Sequence, residues 1–255
     1  MRNALFIFLA LAALALAGAL LFSDRGAGPC ALRSFEGSGF TVCVYRPARD
    51  EIALVWADGQ GRALGGFEAL AGSGLVDAKR VRFAMNAGMF DAGGAPVGLF
   101  VANGRKGHAL NQQTGPGNFH MQPNGVFFVD AERRPHVLTT GDYAAGSVQP
   151  MWATQSGPML VVGGAIMAQF GQDGVSRYVR NGVGVHDGLA IFVISEEAVS
   201  FGKFARFFRD ALRCEDALYL DGAVSSLWVP AIGRLDADHA IGPMVVISAR
   251  PKLQS

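Results

Sequence analysis

The chain of 255 residues carries 22 basic and 21 acidic side chains, and its formal charge of +1 offers no long-range attraction to a polyanion, which argues against nucleic acid as a partner. Half of the residues are hydrophobic and only 17% are charged, enough apolar material for one substantial core. One domain is therefore expected.

The first segment, MRNALFIFLALAALALAGALLF, has Arg2 before an apolar run from Ala4 to Phe22. Residues 1–25 read as a cleaved signal peptide, with Ala15-Leu16-Ala17 as the small-residue site, or as an uncleaved N-terminal membrane anchor. Both readings put the rest of the chain outside the cytoplasm. In an oxidising compartment the three remaining cysteines point to a disulfide, and Cys30 with Cys43 is the favoured pair because they flank a short Gly-containing segment. Cys214 is then a free, buried thiol.

Next come FTVCVYR and EIALVWA, whose alternation predicts two strands paired around a turn at Pro47 to Asp50. A short helix with a frayed end is expected in GGFEALAGSGLVDAKR. The stretch VRFAMNAGMFDAGGAPVGLFVANGR predicts a strand ending at Asn86, a glycine-rich loop, and a strand from Val97 to the turn Asn103-Gly104. Further strands are expected in VFFVD after Asn124-Gly125, in ATQSGPMLVVGG, in YVRNGVGVHDG and in LAIFVIS. Ser200 then suits a helix N-cap, with Phe201, Phe204, Ala205, Phe208, Ala211 and Leu212 on one face. DALYLDG and GPMVVISA supply the last strands. No internal repeat interrupts this order, so the expectation is a single α+β domain over residues 30–255, a mixed β-sheet core of many short strands with a few packed helices.

Candidate chemistry concentrates near strand ends. The five histidines show no close paired spacing of a zinc site, and no glycine-rich loop has a nucleotide-binding context, so neither metal nor cofactor is expected. Asp221 follows the apolar run ALYL and precedes Gly222; by spacing alone it suits catalysis and turn capping equally. Arg180, beside Asn181-Gly182, offers a planar donor fork to phosphate or carboxylate, or a surface ion pair. Ser156 with Gly157 suits a ligand-contacting loop or a structural turn. A serine or cysteine hydrolase built on Ser156 or Cys214 is a weaker alternative, since the nucleophile-elbow pattern is missing. Glu196 and Glu197 are adjacent, so at most one faces a pocket, where it could complete a carboxylate pair with Asp221.

Taken in order, AMNAGMF, PVGLFVANGR, NGVFFVD, SGPMLVVGG, RNGVGV and YLDGAVSSLW resemble the phosphodiester glycosidase family over about Phe40 to Ala249. The segments GPGNFHMQPNGVFF and ISEEAVSF resemble its bacterial exported members. The resemblance implies a hydrolase that cleaves a sugar-1-phosphate diester at the glycosidic bond, its partner being a sugar phosphodiester or an envelope glycan. It implies Asn86, Arg180 and Asp221 as the catalytic pocket, with Gly88, Gly222 and Ser225 shaping it and Asn124, Ser156, Gly157, His120 and Glu197 as further substrate contacts. Ala87, Ala223 and Val224 stand where the family has glycine; their side chains are expected to narrow the approach to a ligand. That departure leaves a non-catalytic polysaccharide-binding protein as the rival reading.

Overall fold

A computed structural model describes residues 28–170 and 174–251. The signal or anchor segment lies outside the described residues. Among them, no helix is long and apolar enough to cross a membrane.

Three large antiparallel sheets and a two-stranded ribbon, Arg177–Tyr178 with Val199–Ser200, make up the sheet structure of the described residues. The first has seven strands, in the order Cys30–Phe35, Ser38–Tyr45, Leu189–Ser195, Asn181–His186, Asp216–Tyr219, Met159–Val162 and Ala165–Ile166. A second sheet of five runs Arg234–Leu235, Leu227–Val229, Val81–Asn86, Met244–Ala249, Asp50–Val55, and a third runs Arg105–His108, Phe100–Ala102, Trp152–Ser156, Gly125–Val129, Pro135–Thr139. The expected single α+β domain is what the chain forms.

Period-two alternation sorts each strand's side chains into two layers. Phe83, Met85, Leu227 and Val245 of the second sheet point into a shared core with Phe192 and Leu218 of the first and Phe127 of the third. Phe192 joins the sheets directly, its ring 5.7 Å from Phe83 and 5.4 Å from Phe127. On the outer face of the second sheet, Ala84, Trp228 and Val246 are covered by the short helix Phe67–Gly72 through Phe67 and Leu70.

The aromatic helix covers the outer face of the first sheet. Ser200 caps it, its hydroxyl accepting the Lys203 N–H at 3.0 Å. The spacing predicts one α-helix, but Phe201–Arg206 continues as a π turn, Phe207–Ala211, with Leu212 N–H bonded to the Phe207 carbonyl. The extra residue per turn lets Phe207 and Phe208 both reach the sheet, and Phe207 stacks on Phe40 at 4.1 Å. Gly182 and Gly184 make this approach feasible, because a Cβ on either would lie within 3.1 Å of Phe204, Phe208 or Cys214 atoms. Asn181-Gly182 is thus the start of a strand.

One other expectation changes. FTVCVYR and EIALVWA do not pair with each other: the first pairs with Leu189–Ser195, the second with Met244–Ala249. The turn between them is a tight corner in which Asp50 accepts the Arg46 N–H at 2.8 Å, and it sends the chain from one sheet to another. The expected disulfide is present, joining Cys30 to Cys43 across the first strand pair. With a sequence separation of 13, replacing both cysteines by serine should cost about 3 kcal/mol by loop entropy. Urea unfolding of the oxidised wild type against the double variant measures this, and a difference under about 1 kcal/mol would contradict it.

Candidate functional site

One end of each sheet delivers a side chain to the segment Leu220-Asp221. Asn86 ends a strand of the second sheet, and its Nδ2 donates to the Asp221 carbonyl at 2.8 Å. Asn181 begins a strand of the first sheet and accepts the Asp221 N–H on Oδ1 at 3.1 Å. Ser156 ends a strand of the third sheet and donates from Oγ to the Leu220 carbonyl at 2.6 Å. Asn181 also bonds the Asn86 carbonyl and its Oδ1, at 2.8 and 2.9 Å, and Ser226 N–H reaches the same Oδ1 at 2.8 Å. These groups are all buried, where an unpaired partner is costly, so the clamp holds Asp221 in one backbone position.

Asp221 itself caps a single 3-10 turn, Gly222–Val224, its Oδ1 accepting the Ala223 N–H at 3.3 Å. No described residue bonds its Oδ2. Both readings of this residue therefore meet in one side chain, with one oxygen serving the turn and the other left over. Burial pushes its carboxyl up to about 6, and no cation offsets the desolvation; the Ala223 N–H alone opposes it.

Arg180 departs from expectation. It is fully buried, with Nε donating to the Val199 carbonyl at 2.9 Å and Nη2 to the Ser176 carbonyl and hydroxyl at 3.0 and 3.2 Å. Its guanidinium lies 3.6 Å from the centre of the Phe201 ring, and desolvation pulls its pKa down. The donor fork expected to face a phosphate is spent on the protein. What connects Arg180 to the site is Tyr219, whose ring centre lies 5.5 Å from the guanidinium and whose hydroxyl packs against Gly222. Burial raises that hydroxyl to about 12, so it stays protonated.

Gly222 has to be glycine for this reason: a Cβ would sit 1.9 Å from the Tyr219 hydroxyl oxygen. Gly222→Ala should destabilise the fold by about 2 kcal/mol through overpacking, read as a lower thermal midpoint. A variant as stable as wild type would show the turn to be slack. Gly88 and Gly157 likewise meet protein, Gly88 the Thr154 side chain and Gly157 the carbonyls of Phe119 and Asn118. Asn124 is buried beside Gly157, with Nδ2 on the Phe119 carbonyl and Oδ1 unpartnered among the described residues. His120 stands on the same loop, its Nδ1 against the Gln113 carbonyl at 2.9 Å.

A cavity of about 380 Å³ opens beside the clamp, walled by Gly222, Ala223, Ser225, Ser226, Glu196 and Arg234 among others. Ser225 contributes its hydroxyl, bonded to the Val179 carbonyl at 3.0 Å. Glu196 is bound by Thr41 at 2.6 Å and by Arg234 at 2.9 Å, while Glu197 accepts the Gly39 N–H at 3.0 Å and is absent from the wall. Neither glutamate contributes to the ionisation of Asp221, so the structure gives no support to a close carboxylate pair.

The replaced glycines have separate fates. The Ala87 methyl packs in the shared core and Val224 against the second sheet's outer layer, so neither narrows a ligand's path as expected; Ala223 alone is exposed on the cavity wall. Cys214 is buried and its thiol pKa is raised, which disfavours a thiolate nucleophile. Ser156 has its hydroxyl committed to the clamp. Two members of the site escaped the sequence reading. Asn181 falls within the expected strand YVRNGVGVHDG, and Tyr219 within the apolar run ALYL; no local signal marks either as part of a site.

A model of the phosphodiester glycosidase family matches residues 79–247, a span holding Asn86, Asn181 and Asp221. The uncharacterized protein YigE of Escherichia coli (strain K12) is 35% identical over 192 residues, covering 74% of each chain. Among solved structures, the catalytic domain of zebrafish N-acetylglucosamine-1-phosphodiester alpha-N-acetylglucosaminidase, auto-inhibited by its pro-peptide, aligns with a TM-score of 0.60 at 15% identity, covering 89% of this chain and 86% of that one. A Burkholderia pseudomallei protein described as exported aligns with a TM-score of 0.56 at 13% identity, covering 84% and 74%. At such identities the two structures establish a shared fold.

Proposed function

Because the chain belongs to the phosphodiester glycosidase family, we propose that it is an exported hydrolase that cleaves the glycosidic bond of a sugar-1-phosphate diester in a cell-envelope glycan. The Cys30–Cys43 disulfide and the exported Burkholderia relative support an oxidising location. One observation carries the catalytic reading: a buried carboxylate, clamped through its backbone by all three sheets, keeps one oxygen without a protein partner.

A phosphodiester leaves as a stable anion and needs little proton donation. Asp221 then acts in its ionised form, activating water or stabilising the positive charge that develops on the sugar ring. Asn86 and Asn181 are positioning residues in this scheme, since their amides are spent on backbone and on each other. Arg180 acts at one remove, through the packing of Tyr219 between it and Gly222.

The test is to incubate the protein with a panel of sugar-1-phosphodiesters and assay free sugar against pH. The rate should rise through about pH 6 and level off above it, following ionisation of Asp221. A rate that falls through the same window would assign Asp221 as an acid instead. Binding of an envelope glycan without sugar release from any substrate would favour the non-catalytic reading, which the spent fork of Arg180 also serves.

A further inference from the structure

The strand registers that gather the clamp at one pole gather arginines at the other. Asn86 ends a strand that Arg80 and Arg82 open, and Met244, opposite Asn86, begins the strand that Arg250 follows. Phe40 lies opposite Ser195 at the clamp end, and the same strand leads into Arg46 at its far end. Roughly six residues separate the poles, about 20 Å along the strands.

The far pole is one connected surface. Arg80 bonds Glu51 at 2.6 Å and the Ala249 carbonyl at 3.0 Å; Arg82 pairs with Asp50 at 3.3 Å; the Arg250 N–H bonds the Arg49 carbonyl at 3.0 Å. The hairpin 130–134 joins it, with Arg133 donating to the Asp50 carbonyl and Arg134 paired with Asp130 at 2.9 Å and Glu132 at 3.1 Å. Seven arginines and Lys79 there stand with the five carboxylates Asp50, Glu51, Asp77, Asp130 and Glu132. That surplus of three stands against a formal charge of +1 for the whole chain, so the remainder is net negative. Beside it, a cleft of about 450 Å³ exposes Leu75 and Met151 near Trp152, Arg80 and Arg133.

We infer that this arginine pole is the face that rests on an anionic phospholipid bilayer, holding the Asp221 pole outward. Two observations choose the bilayer. The positive surplus lies beside half-exposed apolar side chains, the combination an anionic lipid interface attracts. The chain also enters here: the Pro29 carbonyl accepts the Val44 N–H, two residues before Arg46, and only residues 23–27 separate Gly28 from the apolar run that ends at Phe22. Such a spacer reaches about 20 Å at most, so a run seated in a bilayer brings this pole, rather than the catalytic one, against its surface. The orientation needs no assumption about the reaction and stands or falls apart from it.

The full chain is mixed with phosphatidylcholine vesicles and with vesicles that also contain phosphatidylglycerol, and hydrogen exchange is followed at 46–51, 77–82 and 130–134, with 194–198 and 222–226 as contrast. Any tethering by the apolar run is common to both vesicles, so their difference isolates the electrostatic contact. On phosphatidylglycerol the three arginine segments should exchange at least threefold more slowly, the contrast segments should not change, and high salt should erase the difference. Arg49→Glu combined with Arg134→Glu, both at exposed positions, should erase it at low salt. Equal exchange on the two vesicles, or slowing at 194–198 and 222–226 instead, would overturn the inference; because the salt comparison uses wild type, a poorly folded variant cannot obscure the result.

Discussion

Asp221→Asn should reduce sugar release by at least about a thousandfold and at the same time make the fold more stable at neutral pH. The two effects have one cause. Burial moves this carboxyl from its ordinary 3.8 to about 6, so between those values the folded chain holds a proton that the unfolded chain has released. Stability therefore falls as pH rises through that window, and the full cost, about 3 kcal/mol at most, is present above it. Asparagine keeps the shape, can still accept the Ala223 N–H, and carries no charge to desolvate. Urea unfolding of the two proteins at pH 7.5 and again near pH 3.5 decides the matter: a gain at the higher pH that disappears at the lower is expected. Equal stability at pH 7.5 would mean that the free oxygen is better solvated than its burial implies.

Asn181→Ala should unfold the site from beneath. The substitution leaves the Asp221 N–H and the Asn86 carbonyl without the Asn181 side chain inside a buried junction, and it opens a small cavity there. A loss of about 4 kcal/mol is expected, with turnover down roughly a hundredfold because Asp221 is no longer held in register. Ser225→Ala is the milder comparison, since its half-buried hydroxyl bonds the Val179 carbonyl at 3.0 Å and reaches the clamp only through a long contact of 3.4 Å to Asn181 Oδ1; it should cost about 1 kcal/mol. Denaturant midpoints and turnover numbers on the same preparations measure both. If Asn181→Ala proves no worse than Ser225→Ala, the clamp does not hold the site.

The readable parts of this chain were those governed by neighbours in sequence. The apolar, β-branched runs LAIFVIS and MVVISA predicted strands because such a run suits a strand buried on both faces, and Ser200 predicted a helix start because a cap needs only the following turn. The Cys30–Cys43 pair was legible because its two strands are joined by a tight turn. Strand partnership was not. Residues 40–45 and 50–55 are adjacent in sequence, yet they do not pair with each other: residues 40–45 lie between the preceding strand and Leu189–Ser195, and residues 50–55 pair with Met244–Ala249, long-range choices made by total core burial.

The same division runs through the site. Sequence alone determined the residue types at the strand ends, above all Asp221 before Gly222, and the order of motifs that marks the family. It could not determine which way those side chains face. Arg180 reads as a donor fork for phosphate, but the short strand Val199–Ser200 and the start of the helix that follows it put the Val199 carbonyl and the Phe201 ring against it, and the guanidinium bonds inward. Asn181 reads as one residue of an expected strand, but that strand begins where strands of two other sheets end, and there an amide with both donors and an acceptor can bridge them. Convergence of three sheets from distant parts of the chain is a property of the packed core, and only the tertiary structure decided it.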